Sequence, residues 1–221
     1  TWSGTFTPAT NTEDATNTLS LATSYTDPAG NIGPDNQTAN YEVDTRAPSA
    51  NSFTMSDTQL KIGDNATVQL VFSEAVIGFS SAADITAPNG SLSTMTSSDN
   101  ITWSGTFTPA TNTEDASNTL SLATSYTDLA GNNGTAKTTA NYRVDTRKPT
   151  LSEVTAVSTP TSDNTPNYTF SSNEAGTISY AGGCSSSTSA ASATNNNTIT
   201  FIALDDGTTY PNCTITVTDS A

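Results

Sequence analysis

Acidic side chains are the residues of this sequence best suited to chemistry, because they recur in two similar groups along the chain. The 221 residues include 21 Asp and Glu, 6 Lys and Arg, and no His. The first group comprises Glu13, Asp14, Asp44, Glu74 and Asp128, with Asn132 as a further carbonyl ligand. The second group comprises Glu114, Asp115, Asp145, Glu174 and Asp219. Oxygen ligands without His or Cys select a hard cation, and Ca²⁺ suits irregular loops better than Mg²⁺.

The same acidic residues also have an interpretation that involves no cation. They can pair with Arg46 and Arg147, or cap turns in solvent, and not every member of either group need bind a cation. The formal net charge of −15 serves solubility under this interpretation. It also disfavours nucleic acid and anionic membrane surfaces as partners.

The sequence offers no catalytic constellation. Without His it lacks the commonest general base, and two Cys are too few for a four-ligand zinc site built from Cys and His. Trp2 and Trp103 suggest a sugar platform less than packing, since they alternate with polar residues. Lys61 is better explained as a solvated edge residue than as one partner of an isopeptide bond. We therefore expect a protein that is not an enzyme.

An internal repeat organises the chain. Residues 1–31 and 102–132 differ at two positions only, Thr16/Ser117 and Pro28/Leu129. Since Thr102 corresponds to Thr1, the offset is 101 residues, and it extends to NYEVDTRAP at 40–48 and NYRVDTRKP at 141–149. Such near-identity points to duplication within an array of similar units.

The unit between these copies reads as β-strands. Val68, Leu70 and Phe72 alternate with Thr67, Gln69 and Val71. Leu120 and Leu122 alternate in the same way on a later segment. Period-two patterns bounded by Gly, Asn, Asp and Pro predict an antiparallel β-sandwich of the immunoglobulin (Ig) type. Labelled as Ig strands, the predicted ranges are A 51–61, B 66–73, C to D within 76–96, E 101–109, F 118–127 and G 135–144.

The repeat also predicts the domains. Residues 1–44 are expected to be the C-terminal half of an Ig-like domain, 45–145 a complete domain, and 146–221 a diverged domain lacking its last strand. Pro48 and Pro149 stiffen the connections. We therefore expect an all-β, linear rod of tandem Ig-like sandwich domains.

The two cysteines lie in the diverged domain. Aligning Asp219 with Asp128 places Cys213 at an inward position of strand F, and Cys184 follows a predicted strand C at 177–181. These strands are neighbours in an Ig sheet, so a Cys184–Cys213 disulfide is expected in an oxidising compartment. Two buried free thiols are the alternative.

Several motifs together resemble a known family. The strings FSEAV (72–76), TWSGTFTP (102–109), TDLAGN (127–132) and VDTRKP (144–149) resemble the bacterial Ig-like repeats of giant surface adhesins and biofilm-associated proteins. The resemblance covers essentially the whole chain. It implies a cell-surface or secreted location, repeats that act as spacers, and Ca²⁺ at the linkers between them.

The predicted topology gathers the acids at two junctions. The E–F loop and the end of strand G lie at the bottom of one domain, and the B–C and F–G loops lie at the top of the next. Clustered carboxylates repel one another unless a cation lies among them. The first acidic group would then bind Ca²⁺ around residues 44–45, and the second around residues 145–146.

Three functions follow from these expectations. The first is a structural stalk of Ca²⁺-stiffened domains, with neighbouring domains of the same chain as partners. The second is a subunit of an extracellular filament, in which identical chains complete the partial domains. The third is a ligand-binding module. Because the loops NTEDATN (11–17) and NTEDASN (112–118) repeat almost verbatim, we favour the stalk. No apolar run approaches the length of a membrane span, and no signal peptide is evident in a chain that begins in mid-sequence.

Overall fold

The computed structural model describes residues 1–219 and consists almost wholly of β-strands. The first ten strands are β1 Glu13–Asn17, β2 Ser20–Leu21, β3 Asn36–Gln37, β4 Tyr41–Asp44, β5 Ala50–Met55, β6 Gln59–Lys61, β7 Ala66–Phe72, β8 Ile85–Thr86, β9 Gly90–Leu92 and β10 Thr102–Pro109. The others are β11 Glu114–Asn118, β12 Ser121–Leu122, β13 Lys137–Thr138, β14 Tyr142–Asp145, β15 Leu151–Thr155, β16 Asn167–Ser172, β17 Gly176–Ala181, β18 Ala190–Ala191, β19 Asn197–Thr200 and β20 Thr214–Thr218. A single helical turn, α1, spans Ser81–Asp84.

The chain divides into two compact units. Unit 1 comprises Thr1–Thr58, Asn65–Thr108 and Ser117–Tyr142, and unit 2 comprises Gln59–Asp64, Pro109–Ala116 and Arg143–Ala221. The domain boundaries expected at 44–45 and 145–146 remain predictions. The last two residues of the third predicted domain lie outside the described residues.

Unit 1 is built from antiparallel sheets. The largest has the strand order β5-β7-β10-β9, and a second has the order β13-β12-β8. Two smaller sheets, β1-β4 and β2-β3, belong to the first copy of the repeat. In β7 the inward Val68, Leu70 and Phe72 are buried and Gln69 is exposed, as the period-two pattern predicts.

Aromatic rings fill the core of unit 1. The ring of Phe72 lies 4.7 Å from that of Tyr126, and Phe79 packs edge-on against Trp103 at 4.9 Å. Phe107 packs against Tyr142 at 5.1 Å. Edge-to-face contacts of this kind stabilise cores beyond their buried area. Trp103 therefore packs within the sandwich, as its alternation with polar neighbours predicts. The same prediction is wrong for Trp2, which is fully exposed.

Four strand predictions need correction. Strand A is not one segment, because β5 pairs antiparallel with β7 whereas β6 pairs parallel with β14. Strand G is not one segment either, because β13 and β14 lie in different sheets. Strand F is reduced to β12 and a bridge at Thr127, since side-chain oxygens of Asn141 and Thr139 accept the backbone N–H groups of Asn118 and Leu120. Such bonds compete with a strand ladder. The C–D region contains the helical turn α1 as well as short strands.

Unit 2 contains the sheets β15-β16-β19 and β18-β17-β20, and it includes β6 with adjoining parts of β11 and β14. Its core consists of buried apolar side chains from these strands and from the adjoining loops. They are Phe170, Ile178, Cys184, Ala191, Ile199, Phe201 and Val217. Within residues 1–219 no helix is long and apolar enough to span a membrane.

Candidate metal centre

Three carboxylates of the first acidic group converge in unit 1. Asp44, Glu74 and Asp128 each offer one oxygen, and these oxygens all lie within 4.8 Å of one another. The Asp128 side chain is buried, and the other two are half-buried. Within residues 1–219, none of the three forms an ion pair with Lys or Arg. The arrangement leaves three negative charges close together without a direct counter-ion.

Asp44 is positioned by a clamp at the end of β4. The Thr45 N–H donates to the Thr12 carbonyl at 2.8 Å, and the Thr45 hydroxyl donates to the Ala9 carbonyl at 2.7 Å. The backbone N–H of Arg46 then donates to Asp44 Oδ1 at 3.1 Å. These bonds hold the acid of the VDTR segment at a defined place beside the β1–β4 pair.

Asp128 begins a loop that closes on its own side chain. The Asn132 backbone N–H donates to Asp128 Oδ1 at 2.9 Å, and the Asn132 amide nitrogen donates to Oδ2 at 2.8 Å. That nitrogen also lies 3.2 Å from the Asp44 carbonyl. The nitrogen of Asn132, rather than the expected carbonyl oxygen, therefore faces the acids. Side-chain amides can present either end, so rotation of this amide would offer the oxygen.

The side chain of Tyr126 also stabilises this loop. The Tyr126 hydroxyl donates to the Thr135 carbonyl at 2.8 Å, which ties one side of the loop to the other. Gly134 packs on the ring so closely that a Cβ there would lie 2.2 Å from Tyr126 Cε2. The loop that carries Asp128 is thus built around one buried aromatic ring.

Glu74 follows β7, where the Ser73 N–H donates to the Ser49 carbonyl at 2.7 Å. Burial raises the pKa of Glu74, and the negative charges of Asp128, Asp44 and Glu13 raise this pKa further. Arg46 acts in the opposite direction on the pKa. A raised pKa means that the surroundings disfavour the ionised form, which is what a cation among the acids would reverse.

The acidic pair of the first group lies outside this cluster. Glu13 forms an ion pair with Arg46 at 3.3 Å, as the alternative interpretation of the acids expects. Asp14 is exposed and accepts a hydrogen bond from the Thr16 N–H at 2.9 Å within its own strand. The trio of Asp44, Glu74 and Asp128 is therefore the part of the first group that the fold brings together.

The second group is arranged differently in unit 2. Arg147 lies 3.5 Å from Glu114 and 3.6 Å from Glu174, and Arg143 lies 3.0 Å from Asp145. Burial and the neighbouring Glu114 raise the pKa of Glu174. One oxygen of Asp145 (Oδ1) and one of Glu174 (Oε2) are nevertheless buried without a hydrogen-bond partner. Asp115 and Asp219 are half-buried.

A difference in charge at one position of the repeat explains part of this difference between the two acidic groups. It was not predicted from the sequence. Arg143, which pairs with Asp145, corresponds to Glu42 in the first copy. Residues two apart on a strand share one face, so position 42 lies on the same side as Asp44. Aligning NYEVD with NYRVD reveals the exchange in the sequence alone.

The disulfide prediction is confirmed. Cys184 and Cys213 are bonded, with their Cα atoms 5.7 Å apart, and residues 1–219 contain no free cysteine. Cys213 immediately precedes β20, which pairs along β17 from Thr177↔Thr218 to Ala181↔Thr214. The bridge therefore lies at one end of the β17–β20 pair.

Comparison with known proteins agrees with this architecture. Residues 44–144 match the bacterial Ig-like domain family. This match, which spans 101 of the 221 residues, agrees with the family resemblance and with the all-β Ig-like fold class.

One similar protein of known structure is a bacterial adhesin. FdeC, an adhesin of Escherichia coli, has 16% sequence identity to this chain. The structural alignment covers 95% of this chain and 78% of the FdeC chain, with a TM-score of 0.41. Comparison with curated proteins yields no match.

Proposed function

We propose that this chain is a structural, non-catalytic segment of a bacterial surface or secreted adhesin, and that Ca²⁺ bound by Asp44, Glu74 and Asp128 stiffens it. The bacterial Ig-like family of residues 44–144 supports an adhesin-related role outside the cell. The near-verbatim repetition of NTEDATN and NTEDASN favours a spacer over a ligand-binding module, because binding loops diversify on a common scaffold.

The convergence of three carboxylates within 4.8 Å is the observation that carries the calcium proposal. The donor set consists of hard oxygens on irregular loops, which suits Ca²⁺ better than a transition metal. The raised pKa of Glu74 supports the same conclusion, since the cluster disfavours its own full ionisation. Water and backbone carbonyls would complete the coordination.

A bound ion would join segments that are far apart in sequence. Asp44 ends β4, Glu74 follows β7, and Asp128 belongs to the loop after Tyr126. Bending at the VDTRAP segment would then have to break coordination. Binding to the folded form alone also adds about 2.7 kcal/mol of stability at a hundredfold excess over the dissociation constant.

We propose that the second acidic group also binds Ca²⁺, although Arg side chains form ion pairs with some of its carboxylates. The orphaned oxygens of Asp145 and Glu174 suit a cation, while Arg143 and Arg147 already neutralise part of the group. The second group should therefore bind Ca²⁺ more weakly than the trio.

The test compares two equivalent loop acids by calorimetric titration of Ca²⁺ into chelator-treated protein. Asp27 and Asp128 have the same loop bonds, since the Asn31 and Asn132 N–H groups each donate to them at 2.9 Å, but Asp27 is exposed. Asp128→Asn should abolish the stronger binding event, and the matched control Asp27→Asn should leave it unchanged. Equal loss in both variants, or no heat from the unmodified chain, would contradict the proposal.

A further inference from the structure

The first copy of the repeat exposes the side chains that the second copy buries. Leu19 is 47% exposed and its counterpart Leu120 is 0% exposed. Tyr25 is 42% exposed and its counterpart Tyr126 is 0% exposed. Since the two sequences are almost identical here, the difference arises from what covers them and not from the residues themselves.

The first copy nevertheless keeps the local geometry of the second. The Tyr25 hydroxyl donates to the Pro34 carbonyl at 2.8 Å, as Tyr126 does to Thr135 at 2.8 Å. Phe6 and Tyr41 form an edge-to-face pair at 5.5 Å, which matches the pair of Phe107 and Tyr142. The first copy therefore forms these two contacts as the covered copy does, although residues 1–8, the counterparts of β10, form no strand.

Two strand edges are also left unpaired in the first copy. In the second copy β12 pairs with β8 through Leu122↔Ile85, and β14 pairs in parallel with β6 through Val144↔Leu60. Among the described residues, β2 pairs with β3 alone and β4 pairs with β1 alone. An apolar face beside free backbone donors and acceptors is a template for an added strand.

We infer that the exposed face of residues 1–44, formed by Phe6, Leu19, Leu21 and Tyr25, is a docking surface for a segment of the kind formed by residues 45–101. That segment covers the equivalent residues in the second copy. Its strands of the β6 and β8 kind fit the free edges of β4 and β2. The occupant is thus defined by its chemistry, as a β-strand segment with the sequence character of 45–101 supplied by another repeat.

A second folded copy of this chain does not fit the role. The side chains of its own 45–101 segment that would have to dock, including Phe53, Leu70 and Phe72, are already buried. A free repeat segment would present these apolar side chains together with unpaired strand edges. The inference rests on burial and pairing, and it is independent of the calcium proposal.

The test adds a copy of residues 45–101 directly before Thr1 of the full chain, which reproduces the connection between residues 101 and 102. The chain has two Trp, and Trp103→Phe leaves Trp2 as the reporter in both the extended and the unextended protein. In the extended protein Trp2 emission should shift to shorter wavelength, and its quenching by acrylamide should fall several-fold. The matched control carries Leu70→Asp and Phe72→Asp in the added copy only, and it should show neither change.

Amide exchange provides a second readout with both Trp residues retained. The backbone amides around Leu19 and Leu21 should gain protection in the extended protein and not in the control. Failure of Trp2 and of these amides to respond would overturn the inference. The same response in the control, or an unextended chain that forms dimers with Trp2 already shielded, would overturn it as well.

Discussion

At the scale of single residues, the charge at position 42 distinguishes the two acidic groups. Glu42 adds a negative charge beside Asp44, whereas its counterpart Arg143 forms a 3.0 Å ion pair with Asp145. The sequence identified both groups of acids because their residue types repeat. It did not show which acids meet, since that depends on loops that only the folded chain brings together.

Replacing Glu42 with Arg should therefore weaken calcium binding by the trio. The new guanidinium can pair with Asp44 as Arg143 pairs with Asp145, and a partly exposed pair of this kind is worth about 1 kcal/mol or less. We expect a several-fold rise in the calcium dissociation constant, measured by calorimetry. Glu42→Gln, which removes the charge without adding a partner for Asp44, is the control and should raise the dissociation constant less than Glu42→Arg does.

At the scale of elements, the loop after Tyr126 depends on close packing between a glycine and a ring. A Cβ at Gly134 would lie 2.2 Å from the Tyr126 ring, and a Cβ at Gly33 would lie 2.0 Å from the Tyr25 ring. Tyr126 is buried and Tyr25 is exposed. The same local contact is therefore confined in one copy and free to relax in the other.

Gly134→Ala should destabilise the chain more than Gly33→Ala. Overpacking of a confined ring costs about 1–3 kcal/mol, whereas an exposed ring can move away. Denaturant unfolding of both variants measures the difference. Equal destabilisation would show that the two loops are equally confined, against the burial of Tyr126.

The disulfide supports the second unit at the end of the β17–β20 pair. Cys184 and Cys213 are 29 residues apart, and closing such a loop contributes roughly 3–4 kcal/mol in the chain-entropy model. Cys184→Ser combined with Cys213→Ser should lower the free energy of unfolding of unit 2 by about that amount. Thiol titration of the unfolded, unreduced native sequence should find no free thiol, and two would refute the bridge.

At the scale of the whole molecule, residues 1–44 form paired strands with an uncovered apolar face. Leu19, Leu21 and Tyr25 are exposed, and each strand pair is a two-stranded sheet. A two-stranded pair without a covering layer is marginal in water. The stability of this segment should therefore come from its contacts with the rest of unit 1.

Expressed alone, residues 1–44 should be unfolded. The isolated segment loses every contact with residues after 44, and its apolar face cannot be buried within so short a chain. Amide NMR of the monomeric segment should show narrow dispersion. A dispersed spectrum without added partner would contradict this expectation, and residues 102–145 expressed alone provide the matched comparison.

Local sequence patterns determined the fold class of this protein, because strand alternation and turn residues act over a few positions. The alternation of Val68, Leu70 and Phe72 predicted a buried strand face, and the positions of the two cysteines predicted their disulfide. The predicted strand A is divided, because β5 pairs with β7 and β6 pairs with β14. Pairing between distant segments is not encoded in local periodicity.

Only the tertiary structure decided which residues act together. It brought carboxylate oxygens of Asp44, Glu74 and Asp128 within 4.8 Å of one another and left Asp14 in solvent. The sequence alone does not distinguish these four carboxylates. The tertiary structure also exposed Leu19 while burying its counterpart in the second copy. Proximity and burial depend on segments far apart along the chain, so identical local sequences reach different environments when a different surface covers them.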